Sequence, residues 1–287
     1  MGESPNPAIQ GRRLRAELRR ARLAKRLTQK QVASAMDWSL SKVIRIEKGD
    51  VSISTNDLKV LLSLYGIADQ GKVDQLLSLA KEAREPSGWR TYHDVASEGL
   101  IEYIQNEEAA KAIQCFQPQF VPGLLQTSDY AESVIGRFSA TPTLERVEIR
   151  MKRQDILWRQ KPPKMHFIID EAALRRVVGG NQVMDAQIRH IITIADMPHV
   201  TIEIVPFTAG AYPGMEGPFV ILEYSGGVPA ALYTEDTGGE MTGRDDQGDV
   251  RAYQQAFGNI SRLTLGPEKS LQFLSQLASD NGEVGGG

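Results

Sequence analysis

Apolar residues recur at helical spacing through about the first 80 residues of the chain. Leu14, Leu18 and Ala21 lie three or four positions apart, the spacing that places side chains on one face of a helix. The first of these helices is predicted to begin at Gln10. Comparable stripes return in four further segments, near 29–36, 40–48, 55–65 and 73–80. Five short helices with brief connections predict a compact all-α domain.

The ends of the second and third helices carry local signals. Thr28 precedes the second helix and Gln31 follows three positions later, a spacing typical of a capping box. Ser39 is a suitable N-cap for the third helix, and Gly49 is placed to end it. The short segment between the two helices is therefore predicted to be a tight turn.

The pattern changes after the segment REPSGW, whose Pro, Ser and Gly predict a domain boundary. Four later segments are rich in β-branched and aromatic residues and are predicted as strands: 164–170, 200–207, 218–224 and 230–236. Helices are predicted around them, at 100–116, 128–138, 143–160, 171–178, 182–196, 248–262 and 267–278. The second domain is thus predicted to be α+β, with a roughly four-stranded sheet surrounded by helices.

These patterns divide the chain into predicted regions. They are a disordered arm over 1–9, a helical domain over 10–83, a linker over 84–90, an α+β domain over 91–279 and a flexible tail over 280–287. The tail could be natural or a cloning remnant.

Charge is distributed unevenly between these regions. Residues 1–50 hold 12 Lys or Arg and 5 Asp or Glu, a net charge of +7, whereas the rest of the chain carries −10. A basic head favours a partner that is a polyanion, although a solvated basic helix would give the same count. With one cysteine, Cys115, the chain has no internal disulfide. We find neither an export signal nor an apolar run long enough to cross a membrane, and we expect a cytoplasmic protein.

The third predicted helix divides its residues between two faces. Val43, Ile46 and Glu47 share one face, which we expect to pack inward. The other face holds Leu40, Ser41, Ile44, Arg45 and Lys48. Two helices joined by a short turn are typical of the helix-turn-helix, whose second helix enters the major groove of DNA.

Each outward residue suggests a contact with DNA. Arg45 can bind guanine with two hydrogen bonds, and Ser41 offers a short hydrogen-bonding group. Leu40 and Ile44 suit thymine methyl groups, or are partly buried against a neighbouring helix. The remaining candidates are predicted to lie at helix starts or to contact phosphates: Gln29, Lys30, Ser39, Lys42 and Lys48.

The segment from Leu27 to Gly49 resembles the Xre/Cro-like helix-turn-helix family, in its LTQKQVA entry and its SKVIRIEKG helix. The resemblance extends beyond this segment and covers about 60 residues in total. It implies that four residues face DNA: Gln29, Leu40, Ser41 and Arg45. It also implies an ion pair between Glu47 and Arg22. Asp37 stands where the family often has glycine, and Ile44 where a polar residue is common.

Several segments of the second domain stand out, including QPQFVPGLLQTSDYAESVI, RMKRQDIL and IIDEAALRRVVGG. Through them the domain resembles the C-terminal domain of WhiJ-like regulators of actinobacteria. This resemblance implies a small partner protein encoded beside the regulator, as in toxin–antitoxin-like pairs. The resemblance runs over most of residues 89–278 and does not establish what the domain binds.

Two sets of residues in that domain are candidates for a partner or ligand surface. Val121, Leu124 and Leu125 form an apolar patch, which is an interaction surface, the wall of a sensor pocket or a loop that fills the core. Arg150, Arg153 and Gln154 share a helix face. They are suited to bind an anion or a partner's carboxylates, or to pair with nearby acids such as Asp170 and Glu171.

Motifs typical of enzymes are scarce. A single Asp236-Thr237-Gly238 tripeptide does not supply the two carboxylates of an aspartic protease. The four histidines are scattered, and GRDDQGD lacks the distal glutamate of a calcium loop. We therefore expect no enzyme, no metal and no cofactor.

The sequence favours a DNA-binding transcription regulator that acts as a homodimer on double-stranded operator DNA. Its second domain would mediate dimerisation and respond to a small partner protein. Two alternatives remain: an antitoxin-like module that sequesters a partner and regulates its own synthesis, and a repressor that senses a small molecule.

Overall fold

A computed structural model of the chain describes residues 6–49, 51–85, 88–138, 143–235, 241–244 and 246–284. The chain forms two compact units. The first holds the residues up to Arg90 and the short segment Ser225–Pro229, and the second holds the rest. The predicted DTG tripeptide lies outside the described residues, as do residues 285–287 of the predicted tail.

The described part of the first unit contains five α-helices, as the apolar spacing predicts. They are α1 (Pro7–Ala24), α2 (Gln29–Ala35), α3 (Leu40–Lys48), α4 (Thr55–Leu64) and α5 (Gln70–Glu82). Their apolar faces meet in one core that contains Leu18, Val32, Val43, Leu58 and Leu76. Burial of these faces is the main source of stability for helices this short.

Helix α1 begins at Pro7, three residues before the predicted start at Gln10. The cause is local, because the Asn6 side chain accepts hydrogen bonds from the backbone N–H groups of Ala8 and Ile9. Proline at the first helical position needs no hydrogen-bond partner for its nitrogen and has a suitable φ. The predicted disordered arm is therefore helical from Pro7 onward.

The second unit contains seven helices and six strands among the residues that the structure describes. The helices are α6 (Glu98–Glu108), α7 (Ser128–Phe138), α8 (Thr143–Arg153), α9 (Glu171–Arg175), α10 (Asn181–Ala195), α11 (Gln247–Ser261) and α12 (Pro267–Val284). The strands are β1 (Ala112–Gln117), β2 (Lys164–Asp170), β3 (Val200–Val205), β4 (Phe219–Glu223), β5 (Ala231–Glu235) and β6 (Met241–Arg244). Short 3₁₀ turns cover Gly88–Tyr92, Gly123–Leu125, Gln154–Trp158, Phe207–Ala209 and Pro213–Glu216.

The six strands form one mixed sheet in the order β3-β2-β1-β4-β5-β6. Strands β1, β2 and β3 are parallel, whereas β4, β5 and β6 are antiparallel to their neighbours. Helix α11 covers one face of the sheet through Val250, Phe257 and Ile260. From β1 the chain continues to β2 and then to β3, which forms one edge of the sheet. It then returns to β4, which lies on the other side of β1.

The prediction of four strands is wrong by two. Residues 112–116 were assigned to a helix but form most of β1, which pairs with β2 on one side and β4 on the other. Strand β6 was not predicted. The helix predicted over 143–160 ends at Arg153 and continues as a 3₁₀ turn, and α12 extends through Val284 into the predicted tail.

No helix among the described residues combines the length and the apolarity needed to span a membrane.

Candidate nucleic-acid interface

Local signals set the start of α2 and the tight turn that joins α2 to α3. Thr28 and Gln31 form the predicted capping box at the start of α2, with Thr28 N to Gln31 Oε1 at 2.8 Å. Asp37 in the turn has a φ of 54°, a left-handed conformation that glycine adopts most easily and Asp tolerates. Asp37 therefore serves at the position where the Xre/Cro-like family often has glycine.

Both ends of α3 are capped as the sequence predicts. The Ser39 hydroxyl oxygen accepts a hydrogen bond from the backbone N–H of Lys42 at 3.1 Å. Gly49 ends the helix with a φ of 96°, which an L side chain rarely adopts. Ser39 thus has a structural task in addition to its predicted place at the DNA.

The inner face of α3 packs into the domain and carries an ion pair. Val43 and Ile46 are buried. Arg22 donates two hydrogen bonds to the carboxylate of Glu47, from Nε at 2.6 Å and from the terminal NH2 nitrogen at 3.0 Å. The side chains of Arg22 and Glu47 are only 10% and 9% exposed. This hydrogen bond with Glu47 raises the pKa of Arg22, which favours the charged guanidinium.

Gln29 joins the same cluster. Its side-chain amide donates a hydrogen bond to the second oxygen of Glu47 at 2.8 Å. The sequence predicts a DNA contact for Gln29, and the structure instead shows this nitrogen engaged within the domain. The amide still has a carbonyl oxygen and a second N–H hydrogen available for other contacts.

The outer face of α3 is open. Leu40 is 43% exposed, Ser41, Arg45 and Lys48 are exposed, and Ile44 is half-buried. Arg45 makes no hydrogen bond or ion pair with any described residue. A guanidinium that is exposed on a helix in this way can present its donors to the edge of a base pair.

The lysines predicted to contact phosphates differ in their surroundings. Lys42 pairs with Asp57 at 3.1 Å, and its ammonium lies 3.9 Å from the centre of the Trp38 ring. Lys30 and Lys48 are exposed and have no partner within the described part of the chain. Lys30 and Lys48 are therefore better placed than Lys42 to bind phosphate.

The charge count overstates the cations that α1 offers to a polyanion. Arg12 and Arg22 are buried, and Arg20 pairs with Glu17 at 2.8 Å. Glu17 also binds Lys72 of α5 at 2.8 Å. The net charge of the first fifty residues is therefore only partly available at the surface.

The apolar patch predicted in the second unit is not a surface. Val121, Leu124 and Leu125 are 1%, 3% and 0% exposed. Of the readings that the sequence left open, the structure supports a loop that fills the core. Side-chain amides brace this loop, because Gln126 donates to Val121 O at 2.7 Å and Gln187 donates to Leu125 O at 2.6 Å.

The arginines predicted beside this patch point inward from α8. Arg153 donates two hydrogen bonds of 3.0 Å to the carboxylate of Glu107. Gln154 donates to the backbone oxygen of Gln126 at 2.6 Å. Arg150 donates to Oε1 of Gln126 at 2.9 Å. The face that the sequence offered to a partner is thus used largely inside the unit.

The acids expected to pair with these arginines have other partners. Asp170 accepts hydrogen bonds from the Tyr212 hydroxyl and from the backbone N–H of Ala172. Glu171 binds Arg175 at 2.5 Å and the N–H of Phe207 at 2.8 Å. The prediction that these side chains pair with nearby acids is confirmed for Arg153, but its partner is Glu107 and not Asp170 or Glu171.

Glu107, which sequence reasoning missed, is almost fully enclosed. It accepts a hydrogen bond of 2.5 Å from the Tyr103 hydroxyl in addition to the two from Arg153. Burial and the negative charge of Glu107 raise the pKa of Tyr103. Burial opposes the charge of Arg153, but Glu107 outweighs it and raises the pKa of that guanidinium. The spacing of Tyr103 and Glu107, one helical turn apart, was the available signal in the sequence.

Comparison with known families assigns both parts of the chain. A helix-turn-helix domain matches residues 13–76. A domain of unknown function, DUF5753, matches residues 100–276. The chain belongs to the DUF5753 family. No curated protein and no solved structure matches it.

The two matches have different consequences. The helix-turn-helix match includes α2, α3 and the ion pair beneath them, and it indicates a DNA-binding regulator. The DUF5753 match covers most of the second unit, but its description states no function.

Proposed function

We propose that the protein is a sequence-specific transcription regulator that reads its operator with the outer face of α3. The observation that carries this proposal is the arrangement of α3 itself. Its inner face is held by Val43, Ile46 and the pair between Glu47 and Arg22, which leaves Arg45 exposed and without a partner among the residues that the structure describes. Helix-turn-helix proteins place such a helix in the major groove, with its N-terminal residues at the base edges.

The residues of this face have separate roles in the proposal. Arg45 donates to guanine, and Ser41 hydrogen-bonds to a neighbouring base. Leu40, which is 43% exposed, contacts a thymine methyl group. Lys30 and Lys48 bind phosphates and give affinity without sequence preference. Lys42 contributes less because Asp57 already compensates its charge.

Replacing Arg45 by alanine should weaken operator binding by about 1–3 kcal/mol and relax the preference at one base pair. The measurement is a footprint on the promoter region of the protein's own gene, followed by titration of operators that differ at single base pairs. Lys48→Ala is the matched control and should weaken all sequences alike, with a smaller dependence on salt. Unchanged affinity and unchanged base preference in Arg45→Ala would contradict the proposed reading face.

The finer parts of the proposal concern the second unit. We propose that it mediates homodimerisation and responds to a small partner protein, as the resemblance to WhiJ-like actinobacterial regulators implies. Six large apolar side chains are exposed on the described part of this unit and are candidates for such contacts: Leu144, Trp158, Val177, Phe207, Met215 and Leu263. The proposal involves binding and no catalysis.

The homodimer makes a measurable prediction. One helix-turn-helix reads one half-site, so a dimer should protect two half-sites about 34–36 Å apart. Sedimentation equilibrium of the full chain should give twice the monomer mass of 31.7 kDa. A monomer that protects a single half-site would contradict the dimer and leave the reading face of α3 intact.

A further inference from the structure

Three arginines lie on one inward face of α8, and their positive charges are balanced to different extents. Arg146, Arg150 and Arg153 are spaced by four and three residues, which places them along one side of the helix. Arg146 donates to the backbone oxygen of Val95 at 3.3 Å. Arg153 is paired with the carboxylate of Glu107. The single negative charge of Glu107 balances the charge of Arg153 and of no other arginine in this row.

Arg150 has no such counterion. Among the described residues, its one hydrogen bond is to the neutral amide oxygen of Gln126 at 2.9 Å, and no carboxylate of these residues lies within ion-pair distance. A guanidinium carries five N–H donors. Most of the donor capacity of Arg150 is therefore unused.

The surroundings of Arg150 disfavour its charge. Burial lowers the pKa of Arg150 to about 10, and the neighbouring charges of Arg153 and Arg146 act in the same direction. Glu235 and Tyr103 oppose this effect only in part. A cation held in such surroundings gains stability when an anion binds beside it, because the anion provides both charge and acceptors.

The position of Arg150 in the fold suits a ligand. Gln126 belongs to the loop that follows the carboxyl end of β1, the last of the three adjacent parallel strands β3, β2 and β1. In open α/β sheets, ligands bind outside the carboxyl ends of the strands. At Gly123 in this loop, a Cβ atom would lie 3.7 Å from a terminal nitrogen of Arg153 and 3.9 Å from Cζ of Arg150. Arg150 is partly exposed, so part of its side chain is open to solvent.

We propose that Arg150 binds the carboxylate or phosphate group of a small anion, at a site formed with the Gly123–Gln126 loop. The planar guanidinium binds the two oxygens of such a group side by side. Arg153 lies beside the site but remains paired with Glu107, so it does not bind the anion itself. This binding does not rest on the proposed DNA-binding function, because it can be measured without DNA.

The test is a titration of the full chain with inorganic phosphate and, separately, with succinate, at constant pH and at constant ionic strength set with sodium chloride. Thermal unfolding should show a saturable rise in Tm with at least one of the two anions, because a ligand that binds only the folded state stabilises it. A response to phosphate alone identifies a phosphate group, and a response to succinate alone identifies a carboxylate. A response to both identifies a site for either oxyanion.

Two substitutions separate a ligand site from a structural role of Arg150. Arg150→Gln should abolish the anion-dependent rise, and its folded state is checked by circular dichroism. Arg150→Lys keeps the cation but not the planar pair of donors, and should bind about tenfold more weakly. Arg189→Gln is the matched control, since Arg189 is exposed on α10 and already binds Asp185, and it should respond as the unaltered chain does.

Two results would overturn the proposal. One is the absence of any rise in Tm beyond that given by chloride. The other is a rise that persists unchanged in folded Arg150→Gln and in Arg150→Lys, because the anion would then bind elsewhere.

Discussion

Replacing Arg153 by methionine should lower the free energy of unfolding by about 3–5 kcal/mol, because the carboxylate of Glu107 then loses its counterion in a buried site. The two side chains are 8% and 2% exposed, and both guanidinium-to-carboxylate hydrogen bonds are 3.0 Å long. The Tyr103 hydroxyl alone would remain as a donor to Glu107. Urea unfolding of the full chain, followed by circular dichroism, measures the loss.

A double variant shows whether the loss comes from the unpaired charge. Glu107→Gln combined with Arg153→Met leaves a neutral acceptor for Tyr103 and should recover much of the stability. Arg189→Met removes the exposed partner of Asp185 in the same unit and should leave the unfolding midpoint unchanged. If the double variant were as unstable as Arg153→Met, the loss would stem from packing of the arginine and not from the stranded carboxylate.

The ends of the N-terminal helices could be predicted because their signals are local. Thr28, Ser39 and Gly49 act on backbone groups within four residues of themselves. Such a signal depends little on the rest of the fold. Asn6 belongs to the same class, and its role as the cap of α1 was available in the sequence even though it was not predicted.

Strand β1 could not be predicted in the same way, because its structure depends on distant segments. Cys115 pairs with Phe167 of β2 and with Val220 of β4. Neither Gly nor Pro interrupts the chain between Glu108 and Ala112, so the helical pattern of α6 continued into β1 on local evidence. Tertiary pairing decided the outcome against that pattern.

The two buried ion pairs differ in how far the sequence revealed them. The pair of Arg22 and Glu47 was expected because the Xre/Cro-like resemblance supplied both positions. Arg153 and Glu107 are separated by 46 residues along the chain, and nothing in their spacing connects them. The sequence instead favours acids that lie closer to Arg153 along the chain, such as Asp170. In the structure, Asp170 accepts hydrogen bonds from the backbone N–H of Ala172 and from the hydroxyl of Tyr212.

Replacing Arg22 by methionine should destabilise the helix-turn-helix unit by about 3 kcal/mol in the absence of DNA, because the carboxylate of Glu47 would lose its counterion in a buried site. Of the described residues, the amide of Gln29 would still donate to Glu47. The free energy of unfolding is measured with urea, and operator affinity is measured on the fraction that remains folded.

The matched control for this prediction is Arg20→Met on the same helix, since Arg20 is 70% exposed and binds Glu17 at the surface. It should leave stability nearly unchanged. Combining Arg22→Met with Glu47→Gln should restore much of the loss, because the substituted amide can still accept from Gln29. A loss of operator affinity without a loss of stability would instead make Arg22 a phosphate contact. Since Glu47 follows Arg45 by two residues on the opposite face of α3, the ion pair determines which side of the helix can face the groove.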